Sequence, residues 1–320
     1  MPIALLKFPT DLLRDVFKFC DPFELYKLSK CSKRTQRSIK LSGRKNWRIR
    51  YFDPGTVIIY VDHWLYRFEK AEKKEDYFKG SMLKPMSMRY PDEVVDLFFN
   101  LLDTFGICRV GMLSIDFRNF ESFSNIANIL IERNMEIEEF HIGSEPDVKD
   151  AAHIMPLVNR MNITQYFECD PRFLCRFHYQ LETFPKKVFI NWSYWFNIGQ
   201  LLNNSCVRME LFKSNLSNQD LDVFLRKWKN PETFPNLGWL KIYGKKIDNQ
   251  SPILDMIPPI QIVGNPRAEV TFGYRKDIVD GVPVSKDDGT VGWLKVELGG
   301  RWPELKFLVV NPDDTVITSR

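Results

Sequence analysis

Three side chains that can bind a metal ion, Cys169, Cys175 and His178, lie within ten residues of one another. Thiolate and imidazole groups are the usual ligands of zinc, but a closed structural zinc site takes four ligands. These three residues leave that set incomplete, and the chain contains no C-x-x-C pair. The sequence therefore predicts buried cysteines, a partly exposed histidine, and neither a metal nor another cofactor.

Carboxylates are the next candidates, because a pair of them can act as general acid and general base. Asp147, Asp150, Asp220 and Asp222 lie at the starts of predicted helices, where the helix dipole already favours negative charge. The phosphate-loop, nucleophile-elbow and zinc-protease motifs are absent from the sequence. We therefore predict no catalytic residues and no enzymatic activity. An enzyme whose site is assembled from dispersed residues is the alternative.

Large aromatic side chains offer a different chemistry, which is the recognition of another protein. Trp192, Tyr194, Trp195 and Phe196 lie in the segment INWSYWFNIGQ, directly after a predicted strand. Such residue types are enriched at the energetic centres of interfaces, yet most large apolar side chains in such positions fill a core. Both interpretations stay open at this point, and the sequence leaves the substrate-binding residues unknown.

The elements that must position these side chains alternate between strands and helices. Helical patterns lie between short strand signals that recur every 21 to 31 residues. The signals are at Leu113–Ile115, Phe140–Ile142, Tyr166–Glu168, Val188–Ile190, Met209–Leu211 and Leu240–Ile242. This repetition predicts an irregular leucine-rich-repeat-like α/β domain. An ordinary α/β domain around a mostly parallel sheet is the alternative.

Beyond residue 264 the pattern changes to β-hairpins. Asp280-Gly281 and Asp288-Gly289 are strong turn signals between alternating segments, and LKFLVV at 305–310 supplies a last strand. The fold class predicted for the whole chain is thus mixed, α+β or α/β. It comprises short N-terminal helices, a strand-and-helix domain and terminal hairpins.

Charge is distributed unevenly along the 320 residues. Residues 1–50 carry 13 Lys and Arg against 4 Asp and Glu, whereas the remainder carries 32 against 37. This asymmetry is typical of a basic module that meets an acidic partner, either nucleic acid or protein. A solvated basic helix face has the same composition, so the asymmetry alone does not decide between them.

The cellular location follows from what the chain lacks. Its six cysteines are scattered, the first apolar stretch is broken by Lys7 and Asp11, and the longest apolar region contains charged residues. These features predict free thiols and a soluble protein inside the cell, in the cytoplasm or the nucleus, without a membrane partner.

The chain opens with three short predicted helices over residues 8–40. Pro9 and Asp11 are typical of a helix start, and Asp21-Pro22 separates the first helix from the second. A unit of about 35 residues rarely has enough core to fold alone. Its apolar stripe must therefore face either the rest of this chain or the groove of another protein.

These opening helices resemble the F-box, a motif that binds the Skp-type adaptor of Skp–cullin–F-box ubiquitin ligases. The resemblance rests on Phe8-Pro9, the Leu12-Leu13 pair, the Val16-Phe17 pair, the Asp21-Pro22 break and the Cys31-Ser32 step. It implies an adaptor-facing surface, and through the adaptor a cullin. The residues implied for that surface are Pro9, Leu12, Leu13, Val16, Phe17, Leu25 and Leu28.

The later segments resemble the F-box-associated domain of the large nematode F-box families. A helix that ends at Trp228 precedes the strand LGWLKIYG, and YRKDIVDG with GTVGWLKV follows downstream. The resemblance implies an F-box at 1–45, a substrate-binding domain at 46–312 and a tail at 313–320. It predicts a non-enzymatic subunit that recruits an unknown target protein to a ubiquitin ligase. Nucleic-acid binding through the basic helices is the alternative function, although nucleic acid is not the expected partner.

Overall fold

The computed structural model describes most of the chain. The described residues are 8–40, 47–52, 55–71, 73–74, 80–81, 86–90, 93–115, 120–143, 151–174, 177–264, 267–271, 275–299, 301–310 and 315–318. They form two compact units. The N-terminal unit comprises Met1–His141 with Arg160–Asn162, and the C-terminal unit comprises Ile142–Asn159 with Ile163–Arg320.

Three short helices begin the N-terminal unit: α1 (Thr10–Phe19), α2 (Pro22–Cys31) and α3 (Lys33–Lys40). Asp21 ends the link between α1 and α2 and caps α2. Its side chain accepts a hydrogen bond from the backbone N–H of Glu24, while the Glu24 side chain accepts one from the backbone N–H of Asp21. Pro22 occupies the first turn of α2, where its missing N–H costs nothing.

A mixed sheet forms the rest of the N-terminal unit. Its strands and helices are β1 (Arg48–Phe52), β2 (Thr56–Val61), β3 (Trp64–Lys70), β4 (Gly80–Ser81), β5 (Met86–Tyr90), α4 (Val94–Phe105), β6 (Arg109–Ile115), α5 (Phe120–Glu132) and β7 (Glu136–Ile142). The strand order is β4-β5-β3-β2-β1-β6-β7. Strands β1, β2 and β3 form an antiparallel meander, and β1 pairs in parallel with β6.

The C-terminal unit is built on a second succession of strands. Its elements are α6 (Ala151–Arg160), β8 (Asn162–Cys169), β9 (Lys187–Ile190), α7 (Ile198–Leu202), β10 (Arg208–Ser214), α8 (Asn218–Trp228), β11 (Trp239–Gly244), β12 (Arg267–Thr271), β13 (Arg275–Ile278), β14 (Val282–Ser285), β15 (Val291–Glu297), β16 (Glu304–Val309) and β17 (Thr315–Thr318). Strands β8, β9, β10 and β11 are parallel neighbours in chain order. The sheet continues through β16, β15 and β14 with antiparallel pairing.

One face of this sheet packs under helix α8. Trp228 is fully buried there, and its ring lies 4.7 Å from that of Phe307 in an edge-to-face arrangement. Gly292 makes the close approach possible. A β-carbon on Gly292 would lie 2.6 Å from Cε2 of Phe307 and 3.1 Å from Cη2 of Trp228.

On the opposite face of the sheet, the described residues form a covering layer at one end only. There the small antiparallel sheet β13-β12-β17 contributes Ala268 and Ile278 to a cluster with Trp239 and Leu308. We call the uncovered remainder the open face. It carries the alternate residues of β9, β10, β11, β16 and β15, most of which are half-buried while their neighbours along the strand are buried. Glu210 of β10 lies on the same face but is buried.

The mixed α/β class with N-terminal helices and a large sheet is confirmed, and all six strand signals lie in strands. Asp288-Gly289 forms the hairpin turn between β14 and β15. The prediction for Asp280-Gly281 was wrong in one respect, since this turn leads from the small sheet into the large one and closes no hairpin. Residues 313–320, predicted as a tail, contain strand β17 paired with β12.

No helix within the described ranges is long and apolar enough to cross a membrane.

Candidate functional site

Helix α1 presents two apolar faces rather than one. Leu13 and Phe17 are buried, with 5% and 0% of their surface exposed. Leu12 is 49% exposed and Phe19 is 90% exposed, and half-buried Val16 lies between them. Spacings of four and three residues place Leu12, Val16 and Phe19 on one side of the helix. Because apolar side chains gain free energy when they leave water, this uncovered side is a candidate docking surface.

The buried side of the helices is held by the rest of the N-terminal unit. Phe23 of α2 contacts Phe68 of β3 edge to face at 5.0 Å between ring centroids, and Tyr26 contacts the same ring at 5.5 Å. In α3, the side chain of Gln36 donates a hydrogen bond of 3.0 Å to Thr104 on α4. The helices therefore pack against the sheet and helix α4 of this unit.

The seven residues implied as the adaptor-facing surface separate into two groups. Leu13, Phe17 and Leu25 are buried inside this chain, Leu25 with 1% of its surface exposed. Their apolar side chains therefore lie in this protein's own core. The remaining members are exposed or half-buried, namely Pro9, Leu12, Val16 and Leu28.

The exposed Phe8 and Phe19, at 38% and 90%, extend the same uncovered face. We call Phe8, Leu12, Val16 and Phe19 the α1 face. Phe19 was missed at the sequence level because the stripe was assigned to the Val16-Phe17 pair. The spacing of three residues from Val16 was the signal that could have found it.

A second candidate surface is the open face of the C-terminal unit. Phe189 of β9, Phe212 of β10 and Tyr243 of β11 form a row across three strands. The ring centroids of Phe189 and Phe212 are 5.1 Å apart, and those of Phe212 and Tyr243 are 4.6 Å apart. All three side chains are half-buried. A row of half-covered aromatic rings on a rigid sheet is a suitable surface for another protein.

Beside this row lies a ladder of ion pairs on the antiparallel strands. Lys306 contacts Glu304 at 2.7 Å and Glu297 at 3.3 Å, and Lys241 contacts Glu304 at 3.3 Å. Burial raises the pKa of the Glu304 carboxyl, but hydrogen bonds with Lys306 and Tyr243 and the charge of Lys241 outweigh that effect. They lower its pKa to about 2. Glu304 therefore stays charged at neutral pH.

Glu297 and Glu304 also line a cavity of about 420 Å³. A pair of carboxylates in a cavity is what the alternative from the sequence, an enzyme with a site assembled from dispersed residues, would require. A general acid must hold a proton near the working pH, which Glu304 does not do. Lys306 bridges the two carboxylates. Their arrangement links strands β11, β15 and β16 through charged side chains.

The other chemical candidates have structural partners. Asp220 forms a capping box with Ser217 at the start of α8, and Asp222 accepts a hydrogen bond from the backbone N–H of Leu254. Asp147 and Asp150 lie outside the described residues.

The sequence predicted no metal at Cys169, Cys175 and His178, and two of these three residues lie in the described part of the chain. Cys169 is fully buried, and burial raises the pKa of its thiol, which disfavours the thiolate that a metal needs. His178 is exposed, and Cys175 lies outside the described residues. No group of three His, Cys, Asp or Glu side chains among the described residues is placed to hold a metal ion.

The aromatic segment after β9 divides between core and surface. Trp195 and Phe196 are buried, with 4% and 1% exposed, and so belong to the core. Trp192 and Tyr194 are half-buried. The open-face row was not found from the sequence, although its signal is present, since Phe189 and Tyr243 each alternate with buried residues of their strands.

Comparison with protein families identifies two domains in this chain. Residues 5–47 match the family model described as F-box domain, and residues 177–242 match the one described as F-box associated. The chain thus carries an F-box followed by an F-box-associated domain of the nematode type, which confirms both resemblances. F-box domains bind Skp-type adaptors and thereby cullins. Proteins built from these two domains are adaptor subunits rather than enzymes.

Among curated proteins, the chain is similar to E3 ubiquitin-protein ligase hecw-1 of Caenorhabditis elegans. The two are 25% identical over 121 residues, which cover 38% of this chain and 9% of that protein. The chain therefore spans about a tenth of that relative's length. No solved structure matches the chain.

Proposed function

We propose that this protein is a substrate-recruiting subunit of a Skp–cullin–F-box ubiquitin ligase. In this proposal the α1 face, with Pro9 and Leu28, binds the Skp-type adaptor, and the C-terminal unit binds the target protein. Leu13, Phe17 and Leu25 hold the helices in position from below. Recruitment would take place inside the cell, in the cytoplasm or the nucleus.

The observation that carries the proposal is the exposure of Leu12 and Phe19 within the matched F-box. Both side chains project from a helix whose other side is anchored in the N-terminal unit. Covering them in an adaptor groove would remove apolar surface from water, as helix-in-groove docking does in general. The similarity to a protein named as a ubiquitin ligase is consistent with this assignment.

The chain would accelerate ubiquitin transfer without contacting the reacting atoms. Holding a target near a ubiquitin-charged partner raises the effective concentration of the target and converts an encounter into a step within one complex. The role of this chain is then binding alone.

The target would bind the open face of the C-terminal unit. We infer that β8 to β11, with the intervening segments and helices, act as an irregular arc of leucine-rich-repeat-like units. The row Phe189, Phe212 and Tyr243 would lie at the centre of that contact.

Co-purification of the full chain with a Skp-type adaptor tests the docking surface. We expect Leu12→Asp to abolish capture of the adaptor, because a carboxylate would be desolvated in an apolar groove. Val223→Asp is the matched control, since Val223 is also 49% exposed and also lies on a helix. Equal capture by wild type and Leu12→Asp would refute docking through the α1 face. Substitution of Phe17 would not serve, because a charge at a fully buried position unfolds the helices.

Nucleic-acid binding is the second candidate because α3 is strongly basic. Lys33, Arg34, Arg37 and Lys40 are all exposed on this helix. Binding through phosphate contacts would weaken steeply as salt increases. A salt-dependent complex of the full chain with duplex DNA, lost when Arg34 and Arg37 are changed to Gln, would favour this candidate. We expect no such complex.

A further inference from the structure

A basic cluster lies where the strands of the C-terminal unit end. Trp192 follows β9, and two cations lie over its indole ring. The ammonium of Lys213 is 3.2 Å from the ring centroid, and the guanidinium carbon of Arg172 is 4.9 Å from it. The positive charge of Arg301 also acts on Lys213. We call Arg172, Trp192, Lys213 and Arg301 the Trp192 cluster.

The backbone around the cluster is tied down on both sides of Trp192. The backbone N–H and the hydroxyl of Ser193 both donate to the carbonyl of Phe212, at 2.8 and 2.9 Å. The hydroxyl of Tyr194 donates to the carbonyls of Phe173 and Leu174, next to Arg172. The segments that carry Arg172, Trp192 and Lys213 are therefore joined by hydrogen bonds although they are far apart in sequence.

Lys213 has an unfavourable backbone for its residue type. Its φ is +54°, in the left-handed region that side chains other than glycine rarely adopt. This conformation coincides with a register shift between β10 and β11. A strained residue in a locked segment is a feature that recurs at binding sites, where the strain fixes a side chain in position.

The positive charges of the cluster are not balanced by ion pairs with the described residues. Among those residues, Arg172, Lys213 and Arg301 have no carboxylate at ion-pair distance. Desolvation, followed by the charges of Arg301 and Arg172, lowers the pKa of Lys213, and only Asp170 acts in the opposite direction. Three cations against one nearby carboxylate leave a net positive charge, which attracts an anion that would relieve the repulsion among the cations.

We propose that the Trp192 cluster recognises an anionic side chain, a phosphorylated residue or a carboxylate, on a segment of the target protein. Phe212, the residue before Lys213, belongs to the open-face row, so an extended segment on that face would reach the cluster. That the ligand belongs to a ubiquitination target rests on the proposed function. The binding of the anion itself does not depend on the adaptor.

Two observations favour a protein segment over nucleic acid. Single-stranded nucleic acid binds by stacking bases on uncovered aromatic rings, whereas Lys213 and Arg172 already lie over Trp192. The sequence beyond residue 50 also carries 37 Asp and Glu against 32 Lys and Arg. A net acidic region repels a polyanion but accepts a single anionic group at a local cluster.

Binding of the full chain to degenerate peptides tests the proposal. Four labelled pools would carry a fixed central phosphoserine, glutamate, serine or lysine. We expect the phosphoserine pool to bind at least about tenfold more tightly than the serine pool, since a charge-assisted hydrogen bond is worth about that factor. If the site recognises negative charge alone, the affinity for the glutamate pool should lie between the affinities for the phosphoserine and serine pools. If it matches the serine pool, the ligand is a phosphate rather than a carboxylate.

Substitutions then locate the site. Arg172→Gln and Lys213→Gln should each reduce the preference for phosphoserine about tenfold, whereas Lys229→Gln, which removes the same charge from the exposed end of α8, should not. Thermal unfolding would establish that the variants fold. Equal binding of the phosphoserine and serine pools by wild type would overturn the proposal. So would tighter binding of single-stranded poly-dT than of any peptide pool.

A parallel capture experiment with the Skp-type adaptor separates the two proposals. If wild type binds phosphoserine peptides but not the adaptor, the anion site stands and the ligase role fails. If it binds the adaptor but shows no anion preference, the ligase role stands and the anion site is refuted.

Discussion

The two candidate binding surfaces of this protein differ in how they are made. The α1 face is apolar and lies on one short helix and the residue Phe8 just before it, so its members are close together in sequence. The open face of the C-terminal unit is aromatic and charged, and five strands from widely separated parts of the chain contribute to it. A local surface of this kind can be recognised from a short motif. A surface assembled across strands depends on the fold.

The energetic support of the two surfaces differs as well. Under the α1 face lie a few buried apolar residues, such as Leu13 and Phe17. Under the open face lie the large core around Trp228 and Phe307 and, on the face itself, the ladder of ion pairs centred on Lys306. Three substitutions and one labelling experiment test this contrast, from the largest expected effect to the smallest.

Phe17→Ala should lower the free energy of unfolding by about 3–5 kcal/mol, because it opens a cavity under the α1 face. Leu12→Ala, on the exposed side of the same helix, should change it by less than about 1 kcal/mol. Urea denaturation of the full chain measures both values. Equal effects at the two positions would contradict the division of α1 into a buried and an exposed side.

Gly292→Ala should destabilise the C-terminal unit by about 1–3 kcal/mol through overpacking, because the added methyl group meets Phe307 and Trp228. Gly299→Ala is the control, since a β-carbon there meets no atom within 4 Å. The same denaturation experiment compares them. A neutral Gly292→Ala would mean that α8 packs less closely on the sheet than described.

Glu304→Gln should cost about 1–2 kcal/mol of stability at pH 7, and the difference from wild type should disappear in acid. The pKa of Glu304 is lowered to about 2 in the folded protein, against about 4.3 in an unfolded chain. A lowered carboxyl pKa contributes stability that is fully present above about pH 4.3 and is lost as pH falls through about 2. Unfolding curves between pH 7 and pH 2 measure this. A difference that persists unchanged at pH 2 would contradict the role of the ladder.

Thiol labelling should distinguish the two units without altering either. Cys31 and Cys108 of the N-terminal unit are exposed and should react rapidly with iodoacetamide, whereas Cys169 and Cys206 of the C-terminal unit are buried. Burial raises the pKa of both buried thiols, which suppresses the reactive thiolate further. Mass spectrometry of the native protein should show labelling of the buried pair only after denaturant is added. Rapid native labelling of Cys206 would contradict the packing around α7.

The sequence predicted elements better than it predicted surfaces. The predicted strands and the helices between them were correct, because hydrophobic periodicity and the residues that end helices and strands are local properties of the sequence. The sequence could not predict which residues of α1 are exposed, because Leu12 and Leu13 differ by one residue, about 100° around a helix, and only tertiary packing decides which of them is covered. Arg172, Lys213 and Arg301 could not be grouped from the sequence, since only strand order and the locked loops bring their charges together.

The most direct test of the central claim is to measure adaptor capture and phosphoserine-peptide binding on the same set of full-length variants. We predict that each of two substitutions abolishes one binding activity and leaves the other unchanged. Leu12→Asp should lose the adaptor and keep the peptide, while Lys213→Gln should lose the peptide preference and keep the adaptor. If either substitution abolished both activities in a chain that unfolds normally, or if neither affected its assigned activity, recruitment and recognition would not reside on the two surfaces described.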